Sequence, residues 1–361
     1  MQKPQKLRIG MLASNFIRIP PDPPEKYIPK EASGAPETMV YLITEELVKR
    51  GHDVTLFASG DSETSAKLVS VTDTATWSAI GIGPHEHYER LLISKAYQMA
   101  KEGHFDIIHS HFDIRSAHFA PLVNTPTIAT LHSPIDGMPR EIMQHYKTTQ
   151  YYASISDNQR KGLPDLQYAV TAYNGIRVED IPYSTEKDDY FIFAGRITEQ
   201  KGVAETIEIA KRTKRRLLLF GSRDVENSYW KKRILPHIDG NQIVDKGLIS
   251  RKELFEYMSK AEAFVFPLQW EEPFGLVSVE TMATGTPVIA LAKGSLPEII
   301  EDGKTGFLCN TIDEMVEAVA KLDTIKPEDC RKRVEDMFTI EKVVDRYEQA
   351  YYSILEKEGK P

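Results

Sequence analysis

Short apolar runs alternate with amphipathic stretches along most of the chain, and the spacing within each predicts what it builds. In the first half the runs Leu7 to Leu12, Asp53 to Ala58, Ile107 to His109, Thr127 to Leu131, Tyr152 to Ile155 and Ala169 to Ala172 read as strands. Between the first two, Met39, Val40, Ile43 and Leu47 fall at core spacing for a helix over Glu37 to Arg50, which Gly51 stops. A second series follows. Strands are predicted at Tyr190 to Ala194, Leu217 to Phe220, Gln242 to Val244, Ala263 to Phe266 and Pro287 to Ala290, and helices at Val203 to Arg212, Arg251 to Ala261 and Val277 to Thr284. Strands alternating with helices argue for parallel sheets built from strand-helix-strand units. The fold class expected is therefore α/β, with two Rossmann-like doubly wound domains facing a cleft.

The break falls after Asn174-Gly175, where the polar stretch Glu179 to Asp189 reads as a linker. That gives an N-terminal domain over 1–178 and a C-terminal domain over 179–361. The last helical pattern, about 340–357, carries Val343, Val344, Tyr347, Tyr351 and Ile354 as a core stripe, and it is left free to pack back on the N-terminal domain. Ligands of doubly wound sheets collect at the carboxyl ends of the strands, so the cleft is the expected site.

Composition narrows the functions. At 361 residues, with 41% hydrophobic and 27% charged residues and a net charge of -8, the chain is an ordinary globular protein without the clustered positive field that nucleic acid requires. The basic run Lys211 to Arg216 joins a helix end to a strand and suits the negative end of the helix dipole. Cys309 and Cys330 have no Cys-x-x-Cys spacing, and the start of the chain is too short and too charged in its apolar run for a signal peptide. Free thiols in a reducing compartment and cytoplasmic residence are expected.

Two stretches carry candidate chemistry. In "EEPFGLVSVE", residues 271–280, a strand ends, Glu271-Glu272-Pro273-Phe274-Gly275 forms a loop, and a helix starts near Leu276 with Glu280 in its first turns. The start of a helix presents unpaired amide N–H groups to an anion, and Gly275 lets a ligand approach the backbone closely. The flanking acids suit sugar hydroxyls, although singly Glu272 reads equally as a solvated loop acid and Glu280 as a favourable first-turn charge. In "FAGRITEQKG", residues 193–202, Arg196 follows a strand tip and Lys201 stands before the next helix, a fork and a point charge able to neutralise a diphosphate from two directions.

"GRITEQKG", "EEPFGLVSVETMATGTPVIA" and "GSLPEIIEDGKTGFL" resemble the nucleotide-sugar-binding half of glycosyltransferase family 4, retaining enzymes of GT-B fold. "RIGML", "LVKRGHDVTLFASGD", "FDIIHSHF" and "ATLHSP" extend the resemblance over nearly the whole chain. It implies that Arg196 and Lys201 bind the donor diphosphate, Glu272 faces the transferred sugar and Glu280 holds the ribose hydroxyls. Phe274, Gly275, Leu276 and Val277 would supply backbone contacts, and Gly247 and Leu248 would lie beside the base. His132 resembles the family histidine set against the donor sugar across the cleft. In the first domain a loop with paired glycines is usual. Here Gly34-Ala35-Pro36 keeps one glycine, and Gly294-Ser295 likewise stands where two are common.

The implied reaction moves a hexose from a nucleoside diphosphate sugar, UDP- or GDP-linked, to an acceptor hydroxyl on a sugar, a lipid-linked molecule or a small molecule. No cofactor is implied. A metal reading of His109 and His111 lacks a third ligand at suitable spacing, and no Asp-x-Asp pair exists to bridge a metal to the diphosphate. The amphipathic segment His87 to Gly103 leaves a membrane-surface acceptor open but reads more simply as a core-packing helix. A catalytically silent nucleotide-sugar-binding protein and a phosphorylase or epimerase of the same fold stand as alternatives. A dinucleotide oxidoreductase is disfavoured because no Gly-x-Gly-x-x-Gly follows the first strand.

Overall fold

A computed structural model describes residues 6–21, 34–79 and 85–360. Residues 22–33 lie outside them, and with them most of the stretch Ile19 to Pro29, which its prolines mark as a loop in the sequence. In the first half, strands β1 (Arg8–Leu12), β2 (Asp53–Phe57), β3 (Lys67–Val69), β4 (Ile107–Ser110), β5 (Thr127–Thr130), β6 (Tyr151–Ser154) and β7 (Tyr168–Thr171) form one parallel sheet in the order β3-β2-β1-β4-β5-β6-β7. In the second half β8 (Tyr190–Ala194), β9 (Arg216–Phe220), β10 (Ile243–Gly247), β11 (Ala263–Phe266), β12 (Val288–Leu291) and β13 (Gly306–Cys309) form another, in the order β10-β9-β8-β11-β12-β13. Every strand pairing is parallel, and the strand order reverses between β1 and β4 and between β8 and β11. The α/β expectation of two doubly wound domains therefore holds.

The edge strands β3 and β13 escape sequence reading. Lys-Leu-Val is three half-exposed residues, too short to carry a period, and β13 begins on a glycine. That glycine is required: a Cβ on Gly306 would lie 2.0 Å from the carbonyl oxygen of Val288 on the neighbouring strand.

Six longer helices matter for the site and its support. They are α1 (Ala35–Lys49), α2 (His85–Lys101), α3 (Gly137–His145), α4 (Val203–Arg212), α5 (Arg251–Lys260) and α6 (Leu276–Ala283). After them come α7 (Ile312–Val319), α8 (Pro327–Met337) and α9 (Ile340–Lys357), which close the chain. Helix α9 starts where the Thr339 side chain accepts from the Lys342 amide, and it ends just before Gly359 at φ +65°. Its stripe of Val343, Val344, Tyr347, Tyr351 and Ile354 packs into the core of the first sheet, with Leu7, Ile9, Met39 and Ile43. Each fully buried side chain of that size contributes roughly 1.5 to 3 kcal/mol. Polar clamps add direction to the docking: Arg50 at the end of α1 pairs with Asp345 at 2.6 Å, and the His52 ring bonds Glu348 at 2.7 Å.

Candidate active site

Three glycines set the geometry of the C-terminal wall. Gly202, at φ +73°, caps α4 where a Cβ would stand 1.9 Å from the Pro267 carbonyl oxygen, so the loops after β8 and β11 touch. Lys201 is thereby carried against residues 270–272. Gly275, at φ +81° and ψ 51°, is a left-handed cap that turns the chain into α6. Gly294 lets the loop after β12 reach the backbone of Glu272, whose amide nitrogen would be 2.4 Å from an added Cβ. Its neighbour Ser295 donates its amide to Glu272 O at 3.0 Å and its hydroxyl to Phe274 O. A serine in the place of a second glycine therefore braces the turn.

A cavity of about 590 Å³ opens between the two sheets, at the carboxyl ends of their strands. His132, Arg196, Lys201, Leu248, Glu272, Phe274, Gly275, Leu276, Val277 and Glu280 all line it. Gly34 and Gly247 do not; each sits beside lining residues, Gly34 as the left-handed cap of α1 before Ala35 and Pro36, and Gly247 before Leu248. Glu280 belongs to the second turn of α6, one turn deeper than a first-turn charge.

The charged groups of the C-terminal wall are paired. Lys201 forms an ion pair with Glu272, and both side chains are largely buried, at 15% and 13% exposure. The same Glu272 oxygen accepts from Trp270 Nε1 at 2.9 Å, while the Lys201 ammonium stands 5.2 Å from the Trp270 ring. Glu280 accepts from Arg251 Nη2 at 2.6 Å. Arg251 is placed there by a capping box, Ser250 with Glu253, that starts α5 one residue before it.

The N-terminal wall is built from imidazoles. The ring of His132, just beyond β5, meets His111 through Nε2 and Nδ1 at 2.8 Å, and the His132 amide donates to Asp113 at 2.7 Å. His109 lies behind them, bonded to Thr130 at 2.7 Å and accepting or donating to Tyr351 of α9 at 2.7 Å, with Tyr347 on Thr130 at 2.8 Å. Burial pushes His109 down to about 3, helped by the charge His132 would carry. Burial, then the neighbouring histidines, holds His111 well below the usual imidazole range, and burial lowers His132 against an opposing pull from Asp113. At neutral pH these are uncharged rings able to donate and accept hydrogen bonds. His132 is the third imidazole that spacing alone did not place near His109 and His111, but it meets His111 through a nitrogen-to-nitrogen bond. Among the described residues no group of three or more His, Cys, Asp or Glu has metal-holding geometry.

Among the lining residues that sequence reading did not assign to the site are Trp270, Arg251, Asn174 and Thr38. Trp270 directly precedes the paired acids, and Arg251 follows a capping box, which are signals available in the sequence. Asn174 and Thr38 carry none.

Comparison with known proteins shows the family and the fold. The model of the glycosyl transferases group 1 matches residues 179–336, and that of Glycosyltransferase Family 4 matches residues 36–177. An uncharacterized glycosyltransferase of Methanocaldococcus jannaschii is 30% identical over 268 residues, 66% of this chain and 71% of its own. The N-acetyl-alpha-D-glucosaminyl L-malate synthase of Bacillus anthracis is 25% identical over 362 residues, covering 87% of this chain and 93% of the enzyme. Sucrose-phosphate synthase from Thermosynechococcus elongatus superposes with a TM-score of 0.75 at 19% identity, over 97% of this chain and 99% of that one. Anabaena HepE in complex with UDP-glucose does so with a TM-score of 0.67 at 14% identity, over 97% and 100%. The fold and site define a glycosyltransferase of GT-B architecture. The chain belongs to the family 4 type of these enzymes, and it is a transferase.

Proposed function

We propose that the protein is a retaining, metal-independent hexosyltransferase that takes a nucleoside diphosphate sugar in its C-terminal wall and an acceptor hydroxyl from the N-terminal side. One observation carries this reading: Arg196, Lys201 and the start of α6 converge on a single cavity in which Glu272 and Glu280 stand on either side. Two cations and a helix N-terminus suit a diphosphate, and the two acids suit the hydroxyls of a hexose and a ribose. That HepE, of the same fold, was solved with UDP-glucose supports a UDP-linked donor, with a GDP-linked one as the other candidate.

In this reading the cations and helix start stabilise charge on the departing diphosphate, the role a metal fills in other designs. Glu280 holds the ribose, with Leu248 beside the base. Glu272 orients the sugar, and neutral His132 offers it a hydrogen bond from across the cleft. The acceptor attacks on the face the diphosphate leaves, which takes up the acceptor's proton, and the anomeric configuration is retained. Excluding water from the cleft favours transfer over hydrolysis.

The test is a panel of nucleoside diphosphate sugars with sugar and lipid-linked acceptors, products being read by NMR, with and without EDTA. Transfer with retained configuration, unaffected by chelation and reduced about a thousandfold or more in the Arg196→Ala, Lys201→Ala double variant, is expected. Full turnover in that variant would remove the anion site. Donor binding without consumption would make the protein a binder, and consumption with free phosphate as acceptor a phosphorylase.

A further inference from the structure

The geometry points to Trp270 as a positioning residue: its indole N–H holds the Glu272 carboxylate toward the transferred sugar once the donor's diphosphate draws Lys201 away. The inference rests on the donor reading proposed above. It begins from the three-way contact on the C-terminal wall. One oxygen of Glu272 receives both the Lys201 ammonium and the Trp270 Nε1–H, the latter at 2.9 Å. The ammonium also lies over two rings, 5.2 Å from that of Trp270 and 5.7 Å from that of Phe266. Lys201 thus sits between an acid and an aromatic floor.

A lysine that binds phosphate must move its point charge to the diphosphate oxygens, and its flexible stem allows this. Its departure costs the largely buried Glu272 carboxylate its ionic partner. The indole N–H does not have that freedom. Trp270 is tied to the loop by its neighbours: Gln269 N donates to Gln200 O at 2.8 Å, and Glu272 O accepts from Ser295 N. A donor fixed by a rigid ring, two residues from its acceptor, keeps a carboxylate in one orientation with little entropy loss on binding. The ring meanwhile offers Lys201 a surface to slide across as it moves from acid to phosphate. Glu272 would otherwise swing, and an acid aimed wrongly by an ångström loses most of its value to the transition state.

The experiment uses the full chain with UDP and UDP-glucose as first probes, and the GDP pair in parallel. Trp270→Phe keeps the ring and deletes the N–H. Calorimetric affinity for the free nucleoside diphosphate should stay within about twofold, because the diphosphate and ribose contacts are untouched. In contrast kcat should fall about tenfold to a hundredfold, the loss expected for one hydrogen bond to a charged group, with donor KM changed less than threefold. Trp270→His, which restores a ring N–H, should recover part of kcat. Wild-type kcat and KM in the phenylalanine variant would overturn the inference and leave the donor reading standing. So would equal losses in diphosphate affinity, melting temperature and kcat, which would mark a merely structural ring. A wild-type protein that consumes no sugar nucleotide of the panel would remove the donor reading, and this inference with it.

Discussion

The two walls of the cavity are built on different principles. The C-terminal wall is charged and local: Lys201 and Glu272 sit on turns between a strand and a helix, Glu280 in the helix that follows the second of them, and left-handed glycines set those turns. The N-terminal wall is uncharged at neutral pH and depends on distant chain, because His109 is held by Tyr351, 242 residues away. In the donor reading proposed above, the C-terminal wall changes its pairing when the diphosphate arrives, and paired cations and acids near turns suit that exchange. A wall of buried imidazoles is better fixed, and rings in a hydrogen-bonded chain stay where the core puts them.

Breaking the charged wall should have the largest effect. Glu272→Gln keeps size and hydrogen bonding but removes the charge, and kcat should fall about a hundredfold to a thousandfold with nucleoside diphosphate affinity preserved; steady-state kinetics and calorimetry check both. Gly294→Ala probes the same wall through its backbone. The added Cβ would press on Glu272 N and O, both at 2.4 Å, and the left-handed φ of +58° adds strain. Turnover should drop about tenfold or more, with a lower melting temperature.

The histidine wall should respond to pH instead. Burial depresses the folded-state pKa of His109 to about 3, while the unfolded chain titrates near the ordinary value of about 6.5. Below that value the unfolded state binds more protons, so stability is fully present above pH 6.5 and is lost as pH falls toward 3. Between pH 7.5 and 5 the loss from His109 alone should be about 2 kcal/mol, read from urea unfolding at each pH. His109→Gln should flatten that slope. The smallest effect is expected for Tyr351→Phe, which leaves His109 Nδ1 without its partner and should cost about 1 kcal/mol in the same assay. Nucleotide binding on the opposite wall should not change. A large loss of it would show that the two walls are less separate than their contacts suggest.

What the sequence determined by itself was mostly local. Consecutive apolar positions marked the central strands of both sheets, and "GRITEQKG" with "EEPFGLVSVE" marked the charged wall, since turn glycines, strand tips and helix starts lie within a few residues of the groups they place. Edge strands such as Lys67–Val69 left too little pattern to read. Tertiary structure alone decided the rest: the ion pairs Lys201–Glu272 and Arg251–Glu280, the bond from His132 to His111, and the docking of α9 against α1. Those contacts join side chains from tens to hundreds of residues apart. Local periodicity reports which face of an element is buried, whereas partner identity depends on how the sheets and helices stack.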